Sequence, residues 1–95
     1  MRAVHDEDVM FSSEHLRVLE EHGTIYLIAP MQPPVRLNRT ASALWIWLTA
    51  GETVATAVER YALRHGCSLE QARGDAQTFL DSMIEAGHLS FKRQT

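Results

Sequence analysis

The sequence predicts a small α+β domain in which a three-stranded antiparallel sheet is followed by three helices, and three observations carry that prediction. Two short extended runs, Leu16 to Leu19 and Thr24 to Ile28, flank Glu20, Glu21, His22 and Gly23, a hairpin connection with glycine available where positive φ is needed. After Asn38 the apolar spacing changes from extended to helical. Val35 to Gly51, VRLNRTASALWIWLTAG, runs a short strand into the most apolar helix of the chain through a single capping residue.

Each element follows from local chemistry. Residues 1–13 hold His5, Asp6, Glu7 and Asp8, then Val9, Met10 and Phe11, then Ser12 and Ser13. They read as a mobile acidic segment with a small apolar foot, outside a domain spanning 14–95. Pro30, Pro33 and Pro34 forbid helix and disfavour a central strand, so Val35 to Leu37 is expected at a sheet edge. Asn38 caps the first helix, Ala41, Leu44, Trp45 and Leu48 share one face of it, and Gly51 closes it. The second helix starts at Thr53, buries Val54, Ala57, Val58, Tyr61 and Ala62, and ends at Gly66. Ser68 and Gln71 form a capping-box signature for the third, which carries Leu69, Ala72, Ala76, Phe79, Leu80, Met83 and Ile84 at helical spacing before Gly87. His88 to Phe91 is a short strand or an extended tail.

Composition narrows the function classes. A 95-residue chain is one domain, too small for a deep catalytic cleft with its supporting shell. Formal net charge is −3 and the basic residues are dispersed, which disfavours a nucleic-acid surface. A single cysteine, Cys67, rules out an internal disulfide, and no apolar run approaches a membrane span; a cytoplasmic protein is expected. The five histidines have no metal-ligand spacing, and Cys67 lacks an accompanying base and oxyanion site. No cofactor and no catalysis are expected. Trp45 and Trp47 project to different sides of the first helix, so that helix is either sandwiched between layers or leaves Trp47 partly exposed for a partner.

Two blocks of residues resemble those of the PqqD-like proteins, named for the pyrroloquinoline quinone synthesis protein D, and the related recognition elements of ribosomally made peptide natural products. The first block is Leu37, Asn38, Thr40, Ala41, Leu44, Trp45 and Gly51; the second is Asp75, Ala76, Phe79, Leu80, Met83, Gly87 and Leu89. Four positions depart from the pattern. Ala50 stands for the usual Asp before the closing glycine, Thr56 for an acidic residue, and Ala76 for a larger aliphatic one, while His88 precedes the leucine.

The resemblance implies a winged-helix-like fold and a non-catalytic domain that binds the leader segment of a precursor peptide and presents it to a modifying enzyme: a radical enzyme, a leader peptidase or a cyclase. The leader would add as a strand along Val35, Arg36 and Leu37, with Ala72, Asp75, Ala76 and Phe79 lining a groove and Arg36 or Arg39 meeting an acidic leader residue. Strand addition suits an edge with unpaired backbone groups. Two other readings remain: a winged-helix DNA-binding protein, opposed by the acidic balance of the third helix, and a small oligomerising adaptor in which exchange of the N-terminal segment makes a homodimer.

Overall fold

The computed structural model describes residues 4–93. In chain order the elements are β1 (Asp8–Ser12), β2 (Arg17–Glu21), β3 (Thr24–Ile28), β4 (Val35–Arg36), α1 (Arg39–Leu48), α2 (Val54–His65), α3 (Leu69–Glu85) and β5 (Leu89–Arg93). The three-stranded antiparallel sheet has the order β2-β3-β4, and a separate antiparallel ribbon joins β1 to β5. The fold class is α+β, as expected.

Local signals set the boundaries. His22 and Gly23 both adopt positive φ, 52° and 82°, and form the two-residue turn between Glu21 and Thr24, which face each other across the hairpin. Such a turn matches the twist of the strands it joins, and glycine takes it without steric cost. Pro30 and Met31 make the next turn, closed by the Gln32 N–H donating to the Ala29 carbonyl at 3.4 Å. The side-chain oxygens of Asn38, Thr53 and Ser68 each accept a backbone N–H three residues on, so all three N-caps are formed. At the end of α3 Gly87 takes φ 79°, and the N–H groups of Gly87 and His88 donate to the carbonyls of Ile84 and Met83. This is a Schellman ending, which requires a left-handed residue.

The core gathers Ile25 and Leu27 from β3, Leu37, and Leu44, Trp45 and Leu48 from α1. It continues through Val58 and Tyr61 from α2 and Ala72, Ala76 and Leu80 from α3. The N-terminal segment departs from expectation. Asp8, Val9 and Met10 are buried, and β1 pairs with β5 from Asp8 opposite Arg93 to Ser12 opposite Leu89. The Asp6 carbonyl also accepts the Ala55 N–H at 3.0 Å near the start of α2, and the Asp6 carboxylate pairs with Arg73 of α3 at 3.1 Å. The sequence could not show this because β1 finds its partner about eighty residues away in the chain, at the far side of the helices. Residues 1–3 of the expected mobile segment lie outside the described residues.

Ser42 links the sheet to the helices. Its hydroxyl is fully buried, accepts the Ile25 N–H at 3.0 Å and donates to the Leu37 carbonyl at 3.2 Å. The hydroxyl is thus inserted into the final rung between β3 and β4, where the two backbones would otherwise bond directly. Ser42→Ala strips a partner from a buried N–H and a buried carbonyl at once. Urea denaturation should show a loss of about 1–3 kcal/mol, against about 0.5 kcal/mol or less for an ordinary exposed substitution.

Candidate functional site

The backbone register of β4 decides which groups it can offer. Tyr26 faces Arg36 and Leu27 faces Val35 in the β3–β4 pairing, and the Leu37 N–H donates to the Ile25 carbonyl at 2.9 Å. Inward and outward groups alternate along an antiparallel strand. Val35 and Leu37 therefore turn their N–H and carbonyl groups toward β3, while Arg36 turns both outward. Of the three residues expected to pair with an added strand, only Arg36 presents a free donor and acceptor at the sheet edge. Proline at position 34 has no N–H, which shortens the edge further. The side chains also differ: Val35 is 40% exposed and Arg36 is exposed, whereas Leu37 is buried.

Beside the Leu37 end of this edge lies an open cleft of about 1170 Å³. The hairpin turn with His22 forms one wall, the end of α2 with Arg64 and His65 forms another, and Ile46 and Trp47 of α1 line it between them. Arg36 and Arg39 stand at the strand-to-helix junction of the same cleft. Arg64 and the two histidines were not expected at a site; their positions in the sequence give no signal, because α1 and α2 must pack before residues 36 and 64 can converge.

The residues expected on α3 divide into two kinds. Asp75 is exposed and Phe79 is half-buried against the core. Ala72 and Ala76, expected to line an open groove, are 0% and 1% exposed and belong to the core itself. The small side chains make room for α2 and the rest of the core, so no open wall of alanines exists. α3 packs on α2, β5 and α1. The expected residues on β4 and those on α3 consequently meet only through the shared core.

Asp75 has a structural partner, since it accepts the Tyr61 hydroxyl at 3.0 Å. Tyr61 in turn lies 4.4 Å from the His65 ring and, edge-on, 6.5 Å from Trp47, which also meets His65 at 6.4 Å. Trp47 is thereby half-buried against α2 while Trp45 is fully in the core, so α1 is sandwiched and yet leaves Trp47 at the cleft. Among the described residues no group of three His, Cys, Asp or Glu side chains is placed to hold a metal ion, and no helix is long and apolar enough to cross a membrane.

Residues 14–89 match the family described as coenzyme PQQ synthesis protein D (PqqD). The chain belongs to the PqqD family. Neither the curated proteins nor the solved structures include a match to it. The PqqD match takes in β2 through α3 and ends at Leu89, so β1 and most of β5 lie beyond it. In this PqqD-family chain the ribbon adds the buried Val9 and Met10 from outside the matched segment and pairs them with the strand that starts at the buried Leu89.

Two measurements probe this arrangement. Burial, and the Asp75 carboxylate that accepts its hydrogen bond, raise the pKa of the Tyr61 hydroxyl from 10.0 to about 12. A group whose pKa is raised by folding stabilises the protein fully below its unfolded value and loses that contribution as pH climbs through the folded one. Urea midpoints of the wild type and Tyr61→Phe should stay a constant distance apart from pH 7 to about 9, then converge between about 10 and 12. Ala76→Trp should unfold the protein or lower its stability by about 1–3 kcal/mol or more, visible in the circular-dichroism melt, because position 76 has no space to fill.

Proposed function

We propose that this PqqD-family chain is a non-catalytic recognition domain that binds the leader segment of a ribosomally made precursor peptide by adding it as a strand to β4, and presents the peptide to a modifying enzyme. That enzyme is a radical enzyme, a leader peptidase or a cyclase. Family membership supports a part in cofactor or natural-product synthesis, and the observation that carries the strand-addition reading is the outward-facing Arg36 backbone on an uncovered edge. An edge strand supplies main-chain affinity, and pockets beside it supply sequence preference. The half-exposed Val35 and the exposed Arg39 beside Arg36, and separately the exposed Asp75 and half-buried Phe79 on α3, are the side chains proposed to meet the leader. Ala72, Ala76 and the Leu37 side chain act behind them by holding the core.

The proposed place of action is the cytoplasm, where the leader is still attached to its precursor. The reading is tested by titrating the chain with a synthetic leader of the precursor encoded beside its gene. Saturable binding is expected, and none would overturn it. Arg36→Pro deletes the outward N–H without touching the β3–β4 bonds. It should keep the fold and weaken leader binding by up to about tenfold relative to Arg36→Gln, which removes only the charge. Val35→Pro deletes an inward N–H and should lower stability first. If Arg36→Pro and Arg36→Gln bind equally, the leader does not use this edge.

A further inference from the structure

The arginines of the cleft have no compensating charge. Arg36, Arg39 and Arg64 line it together with His22 and His65, and no Asp or Glu side chain does. Among the described residues the ion pairs are Arg60 with Glu52 and Arg73 with Asp6, both elsewhere, and none of the three cleft arginines makes a side-chain hydrogen bond. This concentration of positive charge occurs in a chain whose formal net charge is −3. Three like charges around one concavity add to one positive field, which favours an anionic occupant and weakens as salt rises. The start of α1 at Asn38 adds the positive end of a helix dipole to the same rim.

Between the charges the lining is mixed: Ile46, Trp47 and Ala43 stand beside the polar Thr24, Asn38 and Thr40. Ile46 is 37% exposed, and Trp47 is fixed edge-on by Tyr61 and His65. Carboxylates at the rim and an apolar group against Ile46 and Trp47 would complement this lining. The cleft also continues from the sheet edge, because Arg36 supplies the outward backbone groups of β4 and is itself a cleft residue. Arg36, Arg39 and Arg64 thus line one concavity that adjoins the sheet edge.

We infer that this cleft binds an acidic, extended peptide segment, with two or more carboxylate side chains set against Arg39 and Arg64 and an apolar side chain between them on Ile46 and Trp47. The inference rests on the peptide-recognition reading above and specifies the chemistry of the peptide it recognises. Guanidinium groups suit the role, since their planar forks take carboxylates in two parallel hydrogen bonds.

The test uses the full chain and a short fluorescent peptide of Ser-Glu-Leu-Asp repeats, with a Ser-Gln-Leu-Asn counterpart of the same shape and no charge. Anisotropy should show saturable binding of the acidic peptide only, weakening as salt rises from about 50 mM to about 200 mM. The double variant Arg39→Gln/Arg64→Gln should weaken binding by about fivefold or more, with an unchanged melt, since neither side chain holds a partner in the fold. Arg17→Gln makes an arginine-to-glutamine change on β2, away from the cleft, and should leave affinity unaltered. Trp47 emission should shift on binding, and that shift should be absent in Trp47→Phe.

Equal binding of the charged and amide peptides, or equal losses in the cleft and β2 variants, would overturn the inference. So would tighter binding of an oligothymidylate of matched charge, which would assign the cleft to nucleic acid. If the precursor leader binds the double variant with unchanged affinity, the cleft inference fails while the recognition reading stands. If the acidic peptide occupies the cleft and the leader does not bind, the reverse holds.

Discussion

The junction between the open edge of β4 and the start of α1 depends on the hydroxyl of Ser42. By accepting from Ile25 and donating to Leu37, it satisfies two buried backbone groups that the strands no longer satisfy for each other. This lets β3 and β4 part at the point where the chain must leave the sheet and begin α1. The Leu37 N–H still bonds the Ile25 carbonyl, but a second direct bond, from the Ile25 N–H to the Leu37 carbonyl, would hold residue 37 fully in the strand, and an apolar residue at 42 would leave that donor and acceptor stranded in the core. With the hydroxyl in place, one residue of extended chain separates Arg36 from the cap at Asn38, so the open edge and the start of α1 share one rigid corner.

The helices are tied to that corner through an aromatic and hydrogen-bonded chain. Trp47 on α1 contacts Tyr61 and His65 on α2, and Tyr61 donates to Asp75 on α3. Packing of this kind is directional as well as apolar, because edge-on rings have preferred geometries and the hydroxyl must keep its acceptor. The β1–β5 ribbon closes the opposite side, burying Val9 and Met10 and fastening Asp6 to both α2 and α3. Those contacts place the N-terminal strand in the body of the fold.

The sheet has two edges of different character. β2 is exposed along its length, with Val18 and Leu19 among the uncovered apolar residues, but its charged Arg17, Glu20 and Glu21 blunt it against indiscriminate pairing. β4 is short, preceded by two prolines, and offers the backbone of one residue outward. So brief an edge supplies few main-chain bonds. On the proposed reading, discrimination between peptides rests on side-chain recognition nearby, and the cleft lined by Arg36, Arg39 and Arg64 adjoins that edge.

Much of the architecture was legible in the sequence because its causes are local. Asn38, Thr53 and Ser68 mark helix starts through bonds reaching three residues ahead, Gly66 and Gly87 mark helix ends through left-handed backbone, and His22-Gly23 sets the hairpin turn. Residues Leu37 to Gly51 and Asp75 to Leu89 carried the family resemblance for the same reason: their spacing encodes caps and apolar faces. What tertiary structure alone decided are relations between residues distant in the chain. The pairing of β1 with β5, the burial of Ala72 and Ala76, the outward turn of the Arg36 backbone and the meeting of Arg36, Arg39 and Arg64 each depend on how preformed elements pack. Periodicity assigns a residue to a face but not to what covers that face, so two alanines that read as room for a ligand proved to be room for a neighbouring helix. Charges that look dispersed along the sequence became a cluster once α1 and α2 were set against the sheet.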